Sequence, residues 1–387
     1  MRKLQPIYLD YNATTPLSPA VIGAMRPFLE EHFGNPSSSH PYGHTAKDAV
    51  KTARKQVAAL IGAEPEEIIF TSGGTESNNM AIQGIARANL QRGKHIITSA
   101  VEHPAVTEVC AFLGSQGYHI TTLPVDGDGQ VSPLHLAEAL TPETILVSIM
   151  HANNEVGTLQ PISALAQLAH QAGALFHTDA AQSVGKLPVN VNDLGVDLLS
   201  IAGHKLYAPK GVGALYIRKG VHLDKITFGA SQEGNLRPGT ENVLEIVGLG
   251  AAAQEAHQSL AARMLHLKTL RNRLHTGLTQ TLPSGLLRLN GHPEQRLPNT
   301  LNISFLHIEA NVLLEELSAG LAASAGAACH ADHVEISSVL RAMNVPIEWA
   351  KGALRFSVGA MTRPEDIDRA VEFISAAVRQ INPTHYT

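Results

Sequence analysis

Short apolar runs alternate with amphipathic stretches between about residues 16 and 255. The runs predict strands, and the stretches between them, such as 45–61 with a Thr start and 75–90, carry the 3.6-residue spacing of helices. Such alternation predicts a mainly parallel sheet with helices on both faces, in which ligands gather at the carboxyl ends of the strands. The predicted strands are 68–70, 95–98, 120–123, 145–149, 174–178 and 196–201.

The pattern changes toward the end of the chain. Residues 248–281 are spaced as one long amphipathic helix or two joined ones, and two further strands and two helices follow. This change predicts a second, smaller α+β domain. We predict a large domain over 16–257 and a small domain formed by 1–15 and 258–387. The later strands are 300–305 and 354–358, and the later helices are 309–317 and 364–378.

Composition indicates a globular protein. The 387 residues are 44% apolar and 16% charged, and 29 Lys and Arg against 34 Asp and Glu give a net charge of −5. This balance disfavours a nucleic-acid partner. No signal core and no apolar run near the length of a membrane span occurs, so we expect a cytoplasmic protein. Two cysteines do not make a disulfide framework.

The most informative residues are an acid and an amine that follow two predicted strands. Asp179 comes directly after 174–178, and Lys205 follows 196–201 in the segment Gly203-His204-Lys205. Each alone is most often a turn or surface residue. Together they fit pyridoxal phosphate (PLP), whose aldehyde forms a Schiff base with a lysine and whose ring nitrogen pairs with a carboxylate.

A glycine-rich segment offers a phosphate cradle. Residues 71–79 follow a strand and open a helix, and Gly74 and Thr75 can bring backbone amides and a hydroxyl to an anion. The same pattern also makes an ordinary helix entry. It lacks a P-loop lysine, which disfavours a nucleoside triphosphate.

Other polar groups follow neighbouring strands. His103 could stack on the cofactor ring and exchange protons, although a capped loop histidine is the simpler interpretation. Asn154 and Gln182 carry amides that can bond the ring hydroxyl and the substrate, and Thr240 lies in a polar loop, 237–242, able to bind phosphate. Parallel strands would bring most of these groups to one edge of the sheet.

Cys329 lies in a stretch of small residues, 324–333, typical of a mobile loop with a reactive thiol. His330 could help to deprotonate it. A metal site through Cys329, His330, Asp332 and His333 is the alternative. The stretch lacks a second cysteine or a clear closing ligand, so we expect no metal.

The motifs, in this order along nearly the whole chain, resemble the NifS/IscS-type cysteine desulfurases, a branch of the class V aminotransferase-like PLP enzymes. The resemblance implies PLP-dependent transferase fold type I, with a mainly parallel seven-stranded sheet in the large domain. It also implies a homodimer that converts L-cysteine to L-alanine, leaves the sulfur on Cys329 as a persulfide and passes it to an acceptor protein. The segments that carry the resemblance are 8–16, 71–79, 102–103, 153–155, 179–182, 203–205, 237–240, Cys329 and 354–357.

The resemblance also implies a role for each site residue. Lys205 binds PLP covalently and moves protons, Asp179 pairs with the ring nitrogen, His103 stacks on the ring and Cys329 attacks the substrate sulfur. Arg355 binds the substrate carboxylate. The remaining cofactor contacts fall to Gly74, Thr75, Asn154, Gln182, Ala202, Gly203, His204 and a partner's Thr240, and the remaining substrate contacts to Asn12 and Asn154.

Some positions depart from the family pattern and keep alternatives open. Ala202 stands where many members carry a hydroxyl residue that bonds the phosphate, and 330–333 resembles selenocysteine lyases. A selenocysteine lyase, converting L-selenocysteine to L-alanine on the same fold, is therefore the second hypothesis. A plain aminotransferase would not need Cys329. A non-catalytic binding module is the remote alternative.

Overall fold

The computed structural model describes residues 6–325 and 336–382, and the backbone of 329–330 and 333–334. The strands within these residues are β1 Ile7–Tyr8, β2 Ile68–Thr71, β3 His95–Ser99, β4 His119–Leu123, β5 Thr144–Ser148, β6 Leu175–Asp179, β7 Leu198–Ala202, β8 Gly213–Ile217, β9 Leu287–Asn290, β10 Thr300–Phe305, β11 Leu321–Ala322, β12 Ser324–Ala325, β13 Cys329–His330, β14 His333–Val334 and β15 Ala353–Ser357. The α-helices are α1 Pro19–Glu30, α2 Pro41–Ile61, α3 Gly74–Ala88, α4 Pro104–Ser115, α5 Pro133–Ala139, α6 Ile162–Gln171, α7 Val191–Leu194, α8 Val243–Thr281, α9 Ala310–Leu317, α10 Ser338–Ala342, α11 Ile347–Ala350 and α12 Pro364–Ile381.

A sheet of seven strands, counted over the described residues, has the order β2-β8-β7-β6-β5-β3-β4. Strands β3 to β7 pair in parallel, and β8 runs antiparallel to both of its neighbours. Every residue of β3, β5, β7 and β8 is buried, as expected when both faces are covered. The predicted fold class is confirmed. The apolar run of β8 was not among the strands predicted from the pattern.

A second sheet, ordered β12-β15-β10-β9, is antiparallel. The N-terminal segment joins this part of the fold, because β1 pairs with β11 and Asp10 forms a bridge with Ser357. This pairing places residues 10–12 beside β15. Residues from the two ends of the chain therefore meet at the edge of the large sheet.

The apolar core formed by the described residues has three parts. Ile96 and Ile97 of β3 belong to different clusters, one on each face of the large sheet. The third cluster joins the second sheet to α9, α12 and the C-terminal part of α8. The predicted boundary between 257 and 258 falls inside α8, and the division into domains stays a prediction. No helix within the described residues is long and apolar enough to cross a membrane.

Two predicted helix starts are wrong. α2 begins at Pro41 rather than Thr45, because His40 caps it by accepting the Gly43 N–H through Nδ1 at 3.3 Å. The Thr45 hydroxyl donates to the Pro41 carbonyl, so it lies within the first turns. α8 begins at Val243 rather than residue 248, after the Asn242 cap, and is one continuous helix.

Candidate active site

A cavity of about 360 Å³ lies at the carboxyl ends of the parallel strands, where β15 and the N-terminal segment approach the large sheet. Its size is that of a small-molecule or cofactor site. Most of the predicted site residues meet there, although they come from distant parts of the chain. Those that line the cavity are Asn12, Gly74, Thr75, His103, Asn154, Asp179, Gln182, Ala202, His204, Lys205 and Arg355.

Lys205 ends a short 3₁₀ turn, Gly203–Lys205, that follows β7. Its Nζ donates to the carbonyls of Asn12, at 2.6 Å, and Ala13, at 2.8 Å. Burial, and then the nearby Arg355 cation, lower the pKa of this amine to about 8, although Asp10 and Asp179 oppose the shift. At neutral pH a larger fraction of Lys205 is therefore neutral and nucleophilic than in an exposed lysine.

Asp179, the last residue of β6, is held at both oxygens. Its Oδ1 accepts from the Ala181 N–H at 2.9 Å, and its Oδ2 accepts from Asn78 Nδ2 at 2.7 Å. Both bonds fix the direction of the carboxylate. The Asp179 carboxylate thus lies on the cavity wall as a positioned negative charge.

Asn78 was not predicted from the sequence. It lies on α3 four residues after Gly74, so the helical repeat puts both on one face. Its Oδ1 is buried and has no hydrogen-bond partner among the described residues. A buried unpaired carbonyl in a cavity wall fits a site that receives a ligand with a donor group. The i, i+4 spacing from the glycine was the signal that could have identified it.

His103 caps α4 and lies at the mouth of the cavity, where its side chain is exposed. Its Nδ1 accepts the Ala105 N–H at 3.1 Å, so the neutral ring carries its proton on Nε2. Partial loss of solvent lowers the pKa of His103, which favours this neutral form. The preceding residue, Glu102, fixes the turn by accepting from Ser99 Oγ at 2.5 Å and Met150 N at 2.9 Å.

The predicted phosphate cradle lies at the start of α3. Gly73 has φ of +149°, a conformation that favours glycine, and no side chain within the described residues caps the first amides of the helix. A Cβ atom at Gly74 would lie 3.4 Å from the Cβ of Ala202, so these two small residues bring helix and strand close together. His204 lines the cavity together with Gly74 and Ala202. Burial lowers its pKa to about 4, and its Nδ1 lies 3.1 Å from Thr14 Oγ1.

Arg355 projects from β15 and forms an ion pair that the sequence did not predict. Its Nη2 donates to Asp10 Oδ1 at 2.7 Å, and its Nη1 donates to the Asn154 carbonyl at 3.1 Å. The Nε is buried and has no partner in the described part of the chain. This N–H donor of the guanidinium is therefore left to bind a ligand carboxylate.

Two predicted site residues do not line this cavity, and the side chain of a third is not among those described. Gly203 is buried, and a Cβ there would lie 2.8 Å from the Val212 carbonyl oxygen. Thr240 is exposed on its own loop. The side chain of Cys329 lies outside the described residues, as do those of the alternative metal ligands, and only the pairing of β13 with β14 is described.

The fold and this convergence of an amine, an acid and an imidazole are typical of a cofactor-dependent enzyme. The chain belongs to the aminotransferase class V family, which matches residues 7–370. The predicted relationship is confirmed by two relatives. A cysteine desulfurase IscS of Dictyoglomus turgidum is 50% identical over 97% of this chain and 95% of its own. A cysteine desulfurase NifS of Azotobacter vinelandii is 45% identical over 97% of this chain and 93% of its own.

Solved structures agree. A NifS-like protein that is 37% identical superposes with a TM-score of 0.91, covering 97% of this chain and 100% of that one. A NifS-like protein from Rickettsia africae is 31% identical, with a TM-score of 0.86 and coverage of 98% and 100%. These superpositions place the present fold among NifS-like proteins.

Proposed function

We propose that this protein is a PLP-dependent cysteine desulfurase that converts L-cysteine to L-alanine and transfers the sulfur to Cys329. The observation that carries the proposal is the meeting of Lys205, Asp179 and His103 around one cavity. The predicted class of enzyme is confirmed by the two relatives above, 50% and 45% identical, which are both named cysteine desulfurases. None of the relatives or structures named above is called a selenocysteine lyase.

The cavity residues fit PLP. Lys205 would hold it covalently, the Asp179 carboxylate would pair with the ring nitrogen, and the His103 ring would stack on it. Bound PLP withdraws electrons from the substrate Cα and so makes its proton removable. The phosphate would bind at the start of α3, because the free backbone N–H groups and the helix dipole there favour an anion. Gly74, Thr75 and His204 would hold the phosphate, with Asn154 and Gln182 at the ring edge.

Arg355 would bind the carboxylate of the substrate. The open Nε of Arg355 and the neighbouring Nη2 form a fork for the L-cysteine carboxylate. Nη2 already donates to Asp10, so the substrate would share or displace that carboxylate. Asn12 and Asn154, on the same wall, would orient the bound amino acid.

The reaction needs a base and a sulfur acceptor. The Lys205 amine, partly neutral near pH 8, would remove the Cα proton and return it later. The Cys329 thiolate would attack the substrate sulfur. The substrate S–Cβ bond breaks, its electron pair passes to carbon, and a proton completes the methyl group of L-alanine. Cys329 is left as a persulfide, which an acceptor protein can collect.

We also infer a homodimer. Thr240 is exposed and does not line the cavity of its own chain, as expected if it reaches a partner's phosphate site. Phe33 and Phe228 are 83% and 74% exposed, which suits a surface that a second subunit covers.

The covalent capture of PLP should depend on pH. Only the neutral amine attacks an aldehyde, and burial lowers the pKa of Lys205 to about 8. We expect the capture rate, followed as the growth of visible absorbance in the apo protein, to rise through pH 8 and then level off. A rate that continues to climb beyond pH 10, as for an ordinary lysine with a pKa of about 10.4, would contradict this assignment.

The proposed function is tested by identifying the reaction products. Incubation of the PLP-loaded protein with L-cysteine should give L-alanine, and mass spectrometry should find one additional sulfur on the peptide that contains Cys329. The same assay with L-selenocysteine distinguishes the second hypothesis. Alanine from L-selenocysteine alone would identify a selenocysteine lyase, and no alanine from either amino acid would refute the proposal.

A further inference from the structure

Lys186 is a buried lysine behind the cavity, four residues after Gln182. It is 3% exposed and does not line the cavity. No carboxylate pairs with it among the described residues. Its charged neighbours include the cations Lys205 and Arg355, which, like burial, disfavour a charge on its amine. A buried amine without an anion costs stability, so its presence calls for another explanation.

The hydrogen bonds of Lys186 connect it to residues that line the cavity. Its Nζ donates to Gln182 Oε1 at 2.7 Å and lies 3.4 Å from Asn12 Oδ1. Gln182 Nε2 in turn donates to the Asn12 carbonyl at 3.0 Å. The same carbonyl accepts Lys205 Nζ at 2.6 Å. A continuous chain of hydrogen bonds thus joins Lys186, through Gln182 and Asn12, to the amine that would hold PLP.

The orientation of the Gln182 side-chain amide depends on Lys186, whereas that of the Asn12 side chain does not. Asn12 has other bonds that fix its side chain: Oδ1 accepts from Asn299 at 2.9 Å, and Nδ2 donates to Thr300 Oγ1 at 2.8 Å. For Gln182 Oε1, Lys186 is the one hydrogen-bond donor found within the described residues. Gln182 is 6% exposed, so without Lys186 its carbonyl would be buried and unpaired, and the amide would turn toward another donor.

We propose that Lys186 is a positioning residue that holds the Gln182 amide with Nε2 on the side of the Asn12 carbonyl and the cavity. This inference rests on the proposed function, in which Gln182 bonds the edge of the PLP ring. Lys186 acts through Gln182: it fixes which end of the amide the cofactor meets, and it steadies the carbonyl that positions Lys205. Either charge state of the amine can donate this hydrogen bond.

The test is a double-mutant cycle on PLP binding without substrate. The dissociation constant of PLP is measured by absorbance titration of the apo forms of wild type, Lys186→Met, Gln182→Leu and the double variant. Loss of one hydrogen bond predicts about tenfold weaker binding in each single variant. Because both changes remove the same contact, the double variant should bind no more weakly than the weaker single variant. Lys219→Met, at an exposed lysine, should bind as wild type does.

Two results would overturn the inference: wild-type affinity in Lys186→Met, or losses that multiply in the double variant. Gln182→Glu gives a second route if Lys186→Met does not fold. Its carboxylate accepts from Lys186 but offers no donor toward the cavity, so it too should weaken PLP binding, and wild-type affinity there would equally overturn the inference. Failure of the wild type itself to bind PLP would refute the proposed function instead.

Discussion

Replacement of Lys205 by alanine is expected to lower the rate of L-alanine formation from L-cysteine by at least about 10³-fold, since a covalent anchor and a general base are lost together. The visible absorption band of PLP joined to the protein should disappear as well. The fold should survive, because Lys205 follows β7 rather than packing in the core, and its two hydrogen bonds go to the backbone of Asn12 and Ala13. Turnover is measured with saturating PLP and L-cysteine, and folding by circular dichroism.

Lys210→Ala is the matched control. Lys210 lies five residues further along and is exposed, so its loss removes the same charge without touching the cavity. It should turn over as wild type does and keep the absorption band. A folded Lys205→Ala variant with near wild-type turnover would show that the amine is not the base.

The second large effect is expected from Asp179→Asn, which removes a charge at nearly constant shape. The asparagine oxygen can still accept from the Ala181 N–H. Asn78 can turn its amide so that its Oδ1, which has no partner among the described residues, accepts from the new side chain. The variant should therefore fold. Without the carboxylate, the protonated ring nitrogen of bound PLP loses its counter-charge, and kcat should fall by about 10² to 10³-fold.

The control for this change is Asp193→Asn, at an exposed acid on α7 with the same change of net charge. Its kcat should stay at the wild-type level. If Asp179→Asn lowers the unfolding temperature and leaves kcat intact, then Asp179 is a structural residue of the strand end and does not act on the cofactor.

Sequence patterns could predict the part of the site that follows from sheet geometry. Asp179 ends β6 and Lys205 follows the neighbouring parallel strand β7, so their convergence was implied once both strands were recognised. His103 and Asn154 follow two further strands of the same sheet, after β3 and β5. The strand-end rule therefore accounts for the core of the candidate site.

Contacts between distant segments could not be predicted in this way. The Arg355–Asp10 pair joins residues 345 positions apart, and it depends on the bridge that places Asp10, just after β1, beside Ser357 of β15. Asn78 and Lys186 carry no motif of their own, because a polar residue in a helix or a turn is ordinarily solvated. Their importance lies in what they bond once buried. The strand β8 was missed because its run opens with glycine, which is depleted in strands.

The central claim, that this cavity binds PLP through Lys205, is tested most directly by borohydride trapping. The PLP-loaded protein is reduced with sodium borohydride and digested, and the peptides are weighed by mass spectrometry. The account predicts one pyridoxyl phosphate group, on the peptide that contains Lys205. A label on another lysine, such as Lys186 or Lys210, or no label at all, would contradict it.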